Sequence, residues 1–137
     1  MKYAIRYYSK TGNTKKLADA IASVLNIEAK DISNALEDDV DILFLGSSIY
    51  GAAIDPAIIK FFDTLDVNVS KIVSFGSSGT MQSPYNQISN LCHVHDIKLY
   101  KKQFHCPGAF VGMNANRPDS NDIKNLKSFV NEIISDM

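Results

Sequence analysis

The chain has 137 residues, 45% hydrophobic and 21% charged, which suits one globular domain with one sizeable core and leaves no length for a second. Lys plus Arg number 14 against 15 Asp plus Glu, a net charge of -1, so no global field draws in nucleic acid or an anionic membrane. Cys92 and Cys106 are too few for a disulfide scaffold, the first residues lack the apolar run of a signal peptide, and no stretch nears the roughly 20 apolar residues of a membrane span, so a reducing, cytoplasmic setting is expected.

Residues 3–8 are mostly aromatic and β-branched and read as a first strand. A polar turn ends it. After Thr14, apolar positions at Leu17, Ala18, Ile21, Val24 and Leu25 follow the spacing of an amphipathic helix packed on a flat surface. Residues 27–32 read as a short second strand, and residues 33–39 hold at most a brief helix. Residues 40–46 follow, where Ile42, Leu43, Phe44 and Leu45 form the continuous apolar run of a strand buried on both faces.

Asp55 before Pro56 reads as an N-cap with proline in the first turn, and Ile58, Ile59, Phe62 and Leu65 continue that helix. Residues 71–75 read as a fourth strand stopped by Gly76. Ser83 and Pro84 could open a helix through Ile88 and Leu91. Residues 98–111 hold a fifth strand, interrupted by Pro107 and Gly108. Asp119 or Ser120 caps a last helix with Ile123, Leu126, Phe129, Val130 and Ile133 on one face.

This alternation of strand and helix, with no repeats or linkers, predicts an α/β fold whose parallel sheet carries helices on both sides, a single domain over residues 1–137. Arg6 falls inside a central strand, where an unpaired guanidinium is very costly to bury, and an acidic or backbone partner is expected for it.

Three strands end in small, polar, glycine-containing segments: residues 9–14, 46–51 and 76–80. In an open α/β sheet such ends meet at the carboxyl edge, where ligands bind. In the first, Ser9, Thr11 and Thr14 offer hydroxyls, while Gly12 and Asn13 let backbone N–H groups converge on one anion at the start of a helix. Phosphate binding follows without any required basic residue. The plainer reading is that these are ordinary turn residues and that Asn13 or Thr14 is a helix cap.

Ser9-Lys10-Thr11-Gly12-Asn13-Thr14 resembles the [Ser/Thr]-x-Thr-Gly-x-Thr loop with which the flavodoxins hold the phosphate of FMN. The resemblance runs over nearly the whole chain, with residues 42–51 similar to the third-strand segment and its flavin-contacting turn and residues 73–80 to the fourth. It implies a flavodoxin-like, doubly wound three-layer sandwich with a five-stranded parallel sheet in the order 2-1-3-4-5. It further implies that Ser47, Ser48, Ile49, Tyr50 and Gly51 lie along the isoalloxazine, with Tyr50 near one face and the Gly51 carbonyl able to turn toward the reduced flavin N5. Gly76, Ser77, Ser78, Gly79 and Thr80 would form the opposite turn. Thr80 stands where flavodoxins commonly place a second aromatic, which Met81 or Tyr85 could replace.

Cys92-His93-Val94-His95 lacks the spacing of a metal site and reads as ordinary polar residues. Nucleotide-hydrolase, dinucleotide and hydrolase-elbow glycine patterns are absent. The expected activity is that of an FMN-binding electron carrier between redox protein partners, a monomer or weak homodimer. Two alternatives stand beside it: a small FMN-dependent reductase or oxidase, and a flavin-free binding module of the same fold.

Overall fold

Alternate residues of a strand face opposite ways, so an unbroken apolar run must meet a packing layer on each side. The central strand does so. The computed structural model describes residues 1–50, 53–78, 83–108 and 116–136, and of residues 49 and 50 the backbone alone. Along the chain run β1 (Tyr3–Tyr7), α1 (Asn13–Leu25), β2 (Ala29–Asp31), β3 (Val40–Ser47), β4 (Ile49–Tyr50), β5 (Ala53–Ile54), α2 (Pro56–Asp63), β6 (Val69–Ser78), α3 (Tyr85–Val94), β7 (Lys98–Leu99), β8 (Phe104–Pro107) and α4 (Ser120–Asp136).

From β3, Ile42 and Phe44 enter a core shared with Leu17, Ala18 and Ile21 of α1 and Leu126, Val130 and Ile133 of α4. Leu43 and Leu45 enter a second core with Ile58, Phe61 and Phe62 of α2 and Ile88 and Cys92 of α3. The sheet therefore lies between two helical layers.

Its strands pair β2-β1-β3-β6, all parallel, and both β7 and β8 lie along the far side of β6. β7 meets β6 at Lys71 and Ile72, and β8 meets it from Phe75 to Ser78, so the fifth position is one strand broken at residues 100–103. The expected order 2-1-3-4-5 is found in these five positions. An interruption was expected at Pro107 and Gly108, but Pro107 sits within β8, opposite Ser78, and Gly108 lies just past its end. A strand on the rim tolerates proline because its missing N–H faces away from the ladder.

Two local expectations need correction. Gly76 does not stop the fourth strand: β6 continues through it to Ser78 because β8 extends the ladder beside it. Ile59 is 40% exposed, and Phe61 takes the inward place on α2. Residues 33–39 hold no helix, within the expectation of at most a brief one. The N-cap on α2 is as expected, with Asp55 Oδ1 accepting from the Ala57 amide at 2.9 Å.

Arg6 is 7% exposed, and main-chain carbonyls satisfy it: Nε donates to Asn34 at 2.8 Å, Nη1 to Ile5 at 2.9 Å and Nη2 to Ala35 at 3.3 Å. Burial lowers its pKa, while the charges of Glu28 and Glu37 oppose that shift. A charged residue in the first strand thus fastens the β2–β3 connection to the sheet.

α4 begins with reciprocal capping. Asp122 N donates to Asp119 Oδ1 and Asp119 N to Asp122 Oδ2, each at 2.9 Å. Arg117 forks onto both Asp122 oxygens at 2.7 Å. That guanidinium holds the Asp122 carboxyl below its usual pKa, against the opposing effect of burial. A carboxylate depressed in the folded state stabilises above its unfolded pKa of about 3.9, and that contribution is lost as pH falls through the lower folded value. The melting temperature is therefore expected to fall below about pH 4 more steeply in the parent than in Asp122→Asn. Parallel slopes in calorimetric scans from neutral to acid pH would refute this.

Both cysteines are buried and unbridged. Burial pushes the Cys92 thiol to about 11 and Cys106 to about 12, values at which neither is a nucleophile near neutrality.

Candidate functional site

The first strand delivers its turn to the carboxyl edge of the sheet, where Tyr8 N donates to Gly46 O at 3.1 Å and locks β1 beside β3. Gly12, the N-cap of α1, has φ 88° and ψ -6°. An added Cβ would meet nothing within 4 Å there, so it is the left-handed backbone that favours glycine at this position. The Gly12 amide donates to Ser9 Oγ at 3.0 Å, which closes the turn and leaves the Ser9 hydroxyl proton to donate outward.

The first amides of a helix have no carbonyl within it to bond. Among the described residues, the amides of Thr11, Thr14 and Lys15 meet no protein acceptor, and the first bond of this helix end is Lys16 N to Gly12 O at 3.1 Å. Thr11 is exposed. The turn thus presents main-chain donors at the positive end of a helix dipole, the chemistry that a phosphate dianion requires. Lys10 is turned elsewhere, with Nζ 3.4 Å from Asp55 Oδ2 at the head of α2.

Beneath the turn, Thr14 is 1% exposed, and its Oγ1 lies 2.8 Å from Ser48 Oγ and 3.3 Å from Ser77 Oγ. The three glycine-containing segments expected to meet are joined here by three buried hydroxyls. Two glycines let them approach. A Cβ on Gly46 would lie 2.6 Å from the Phe75 ring and 2.9 Å from Thr14 Cγ2, and one on Gly76 would lie 1.9 Å from the Ser47 carbonyl oxygen.

Ser47 is in β3, fully buried, and its Oγ has no hydrogen-bond partner among the described residues. Ile49 and Tyr50 form the two-residue β4, antiparallel to β5, a hairpin the sequence does not announce. Gly76, Ser77 and Ser78 belong to β6 rather than to a turn. Gly51, Gly79, Thr80 and Met81 lie outside the described residues. Tyr85 begins α3, and its hydroxyl donates to the Tyr100 carbonyl at 2.9 Å, tying it to the broken edge strand.

The edge strand also brings residues that periodicity did not single out. His105 Nε2 is 3.1 Å from Ser78 Oγ, and Gly108 donates to Ser78 O at 2.9 Å. A Cβ on Gly108 would stand 2.9 Å from Asn13 Nδ2 and 3.1 Å from Ser77 Oγ, so Gly108, just past β8, lies against the start of α1. A glycine immediately after a strand was the available signal. Cys92 faces the core while its neighbour His93 is exposed, which separates two of the four residues of that sequence motif. Among the described residues no helix is long and apolar enough to cross a membrane.

A model of the flavodoxin domain family matches residues 4–110. An uncharacterized protein of Methanocaldococcus jannaschii is 29% identical over 98% of this chain and 99% of its own length. Among solved structures, a flavodoxin from the domain Archaea superposes with a TM-score of 0.79 at 18% identity, covering 99% of this chain and 98% of that one. Oxidised flavodoxin 1 from Bacillus cereus gives 0.77 at 19% identity over 100% and 99%. Rubredoxin:oxygen oxidoreductase from Desulfovibrio gigas gives 0.72 at 15% identity over 95% of this chain but 34% of that larger one.

Proposed function

The chain belongs to the flavodoxin domain family, and from that premise we propose that it binds FMN non-covalently at the carboxyl edge of its sheet and carries electrons between redox proteins. The observation that supports this most directly is the set of amides at Thr11, Thr14 and Lys15, which meet no protein acceptor among the described residues where α1 begins. A dianion placed there receives charge-assisted hydrogen bonds without any lysine or arginine.

The residues on hand fit the group. Ser9 Oγ accepts from Gly12 N and has its proton free for a phosphate oxygen, and Thr11 stands exposed beside it. Bound FMN would supply the redox chemistry itself. The protein's task is to hold the phosphate, orient the ring at the edge formed by β3 and β6, and exclude water from the ring face.

Fluorescence titration tests the assignment, because free flavin is emissive and a protein-held ring is commonly quenched. FMN is expected to bind at least about tenfold more tightly than riboflavin, the gain from one or two charge-assisted bonds to phosphate. Gly12→Val, which a positive φ disfavours, should erase most of that difference. Equal affinity for the two flavins would place the recognition elsewhere, and no affinity for either would end the flavin reading.

A further inference from the structure

The crossover from β2 to β3 passes over β1, a step that parallel sheets usually make through a helix. Here residues 32–39 make it without one. Ile32 and Leu36 pack into the core that α2 and α3 cover, so that layer is one helix short beside the crossover. A cavity of about 400 Å³ opens there, between the crossover and α2.

Its walls are apolar, formed by Tyr8, Ile32, Leu36, Phe61 and Leu65. The volume lies within the roughly 300–1,000 Å³ of small-molecule sites. Both sides are held in place: Arg6 donates to the carbonyls of Asn34 and Ala35, Ile32 N donates to Tyr7 O at 2.9 Å, and Asp55 caps α2. No described residue of the three glycine-containing segments lines this cavity, which sets it apart from the proposed flavin site.

Three charged side chains join the lining: Asp31, Lys60 and Asp66. Asp31 Oδ1 accepts from the Ser33 amide at 2.9 Å, which orients the carboxylate, and no described group takes its Oδ2. Neither Asp66 nor Lys60 has an ion-pair partner among the described residues. The acidic balance extends outward, since residues 31–66 hold eight Asp and Glu against Lys60 alone. Lys2 pairs with Asp38 and Lys10 with Asp55, which leaves the carboxylates at the cavity without a neutralising lysine from outside. We propose that this cavity binds a small organic cation, an apolar body carrying a protonated amine. The rings of Tyr8 and Phe61 pack against the body, and Asp31 and Asp66 attract the ammonium. This site stands whether or not the protein binds flavin.

Tryptamine and indole-3-propionate share a ring system and differ in the sign of their charge, so titrating each into the purified protein reads the preference directly. Amide-resolved NMR is expected to show tryptamine bound at least about fivefold more tightly, with shifts centred on residues 31–36 and 57–66. Asp66→Asn should weaken tryptamine by about threefold, and Lys60→Gln should tighten it by about twofold by removing the opposing charge. Equal or tighter binding of the carboxylate, or no binding of tryptamine at about 5 mM, would overturn the proposal. So would an affinity that neither replacement moves.

Ala35→Phe tests the place. Ala35 is exposed and lines the cavity, so the added ring is expected to fill the space without entering the core and to abolish tryptamine binding. Binding that survives this change lies elsewhere and refutes the assignment. Excess FMN should leave tryptamine in place, whereas displacement would put the amine in the flavin site and end the proposal. The other occupant for such a groove is a second copy of the chain: a dimer seen by sedimentation and lost in Ala35→Phe would give the cavity to self-association instead.

Discussion

Gly76→Ala is expected to destabilise the protein by about 3 kcal/mol or more, among the larger effects of any single methyl group added to this chain. The new Cβ would lie 1.9 Å from the carbonyl oxygen of Ser47 on the adjacent strand, inside the distance at which any pair of such atoms is found. That oxygen is backbone, and its residue forms the last pair of the parallel β3–β6 ladder, in register with Gly76 itself. Relief must therefore come from moving β3 away from β6, not from rotating a side chain. Because Ser77 and Ser48 are the next residues on those segments, the displacement would also pull apart the hydroxyls around Thr14. Thermal unfolding should show a midpoint lower by roughly 10 °C for a domain of this size. A midpoint within a degree or two of the parent would mean that the strands are farther apart than the structure has them. Gly12→Ala is the fitting comparison, since its cost is conformational only and should stay near about 1 kcal/mol.

Phe75→Ala should cost about as much or more, in the range of roughly 3–5 kcal/mol for a fully buried phenylalanine. Phe75 is 0% exposed, and its ring packs beneath Gly46 in the core shared by α1 and α4. Truncation leaves a cavity under the very backbone that carries the candidate site. The phosphate amides should survive, because they depend on α1 and Gly12, so flavin affinity is expected to fall less than stability does. Comparing the unfolding free energy in urea with the FMN dissociation constant separates the two quantities. A stability loss below about 1 kcal/mol would show that the neighbours collapse into the space.

Gly76 also marks where local reading of the sequence failed. Gly76 reads as a strand terminator, since glycine after Phe75 punctuates a short apolar run. In the molecule it permits the strand to continue, because the next strand over lies too close for a Cβ. No pattern of neighbours along the chain reports a clearance measured across the sheet. Thr14 reads as part of a ligand turn, and its hydroxyl finds partners 34 and 63 residues away that no local pattern announces. The β4–β5 hairpin escaped for a different reason: two residues per strand are too few to show a period.

What the amino-acid sequence determined by itself is whatever short-range forces decide. The apolar stripe of α1, the Asp55 cap with Pro56 and the doubly buried run in β3 all act within a few residues, and each appears as expected. Alternating strands and helices under right-handed crossovers predict a parallel sheet covered on both faces, while its order 2-1-3-4-5 is implied by the family resemblance. Only the tertiary structure decided the partners of Arg6, the length of β6, the break in the edge strand and the inward turn of the Thr14 hydroxyl. Each of these is a choice among polar groups brought together by packing, and a hydrogen bond forms with whatever the fold places within about 3 Å, whatever its distance along the chain.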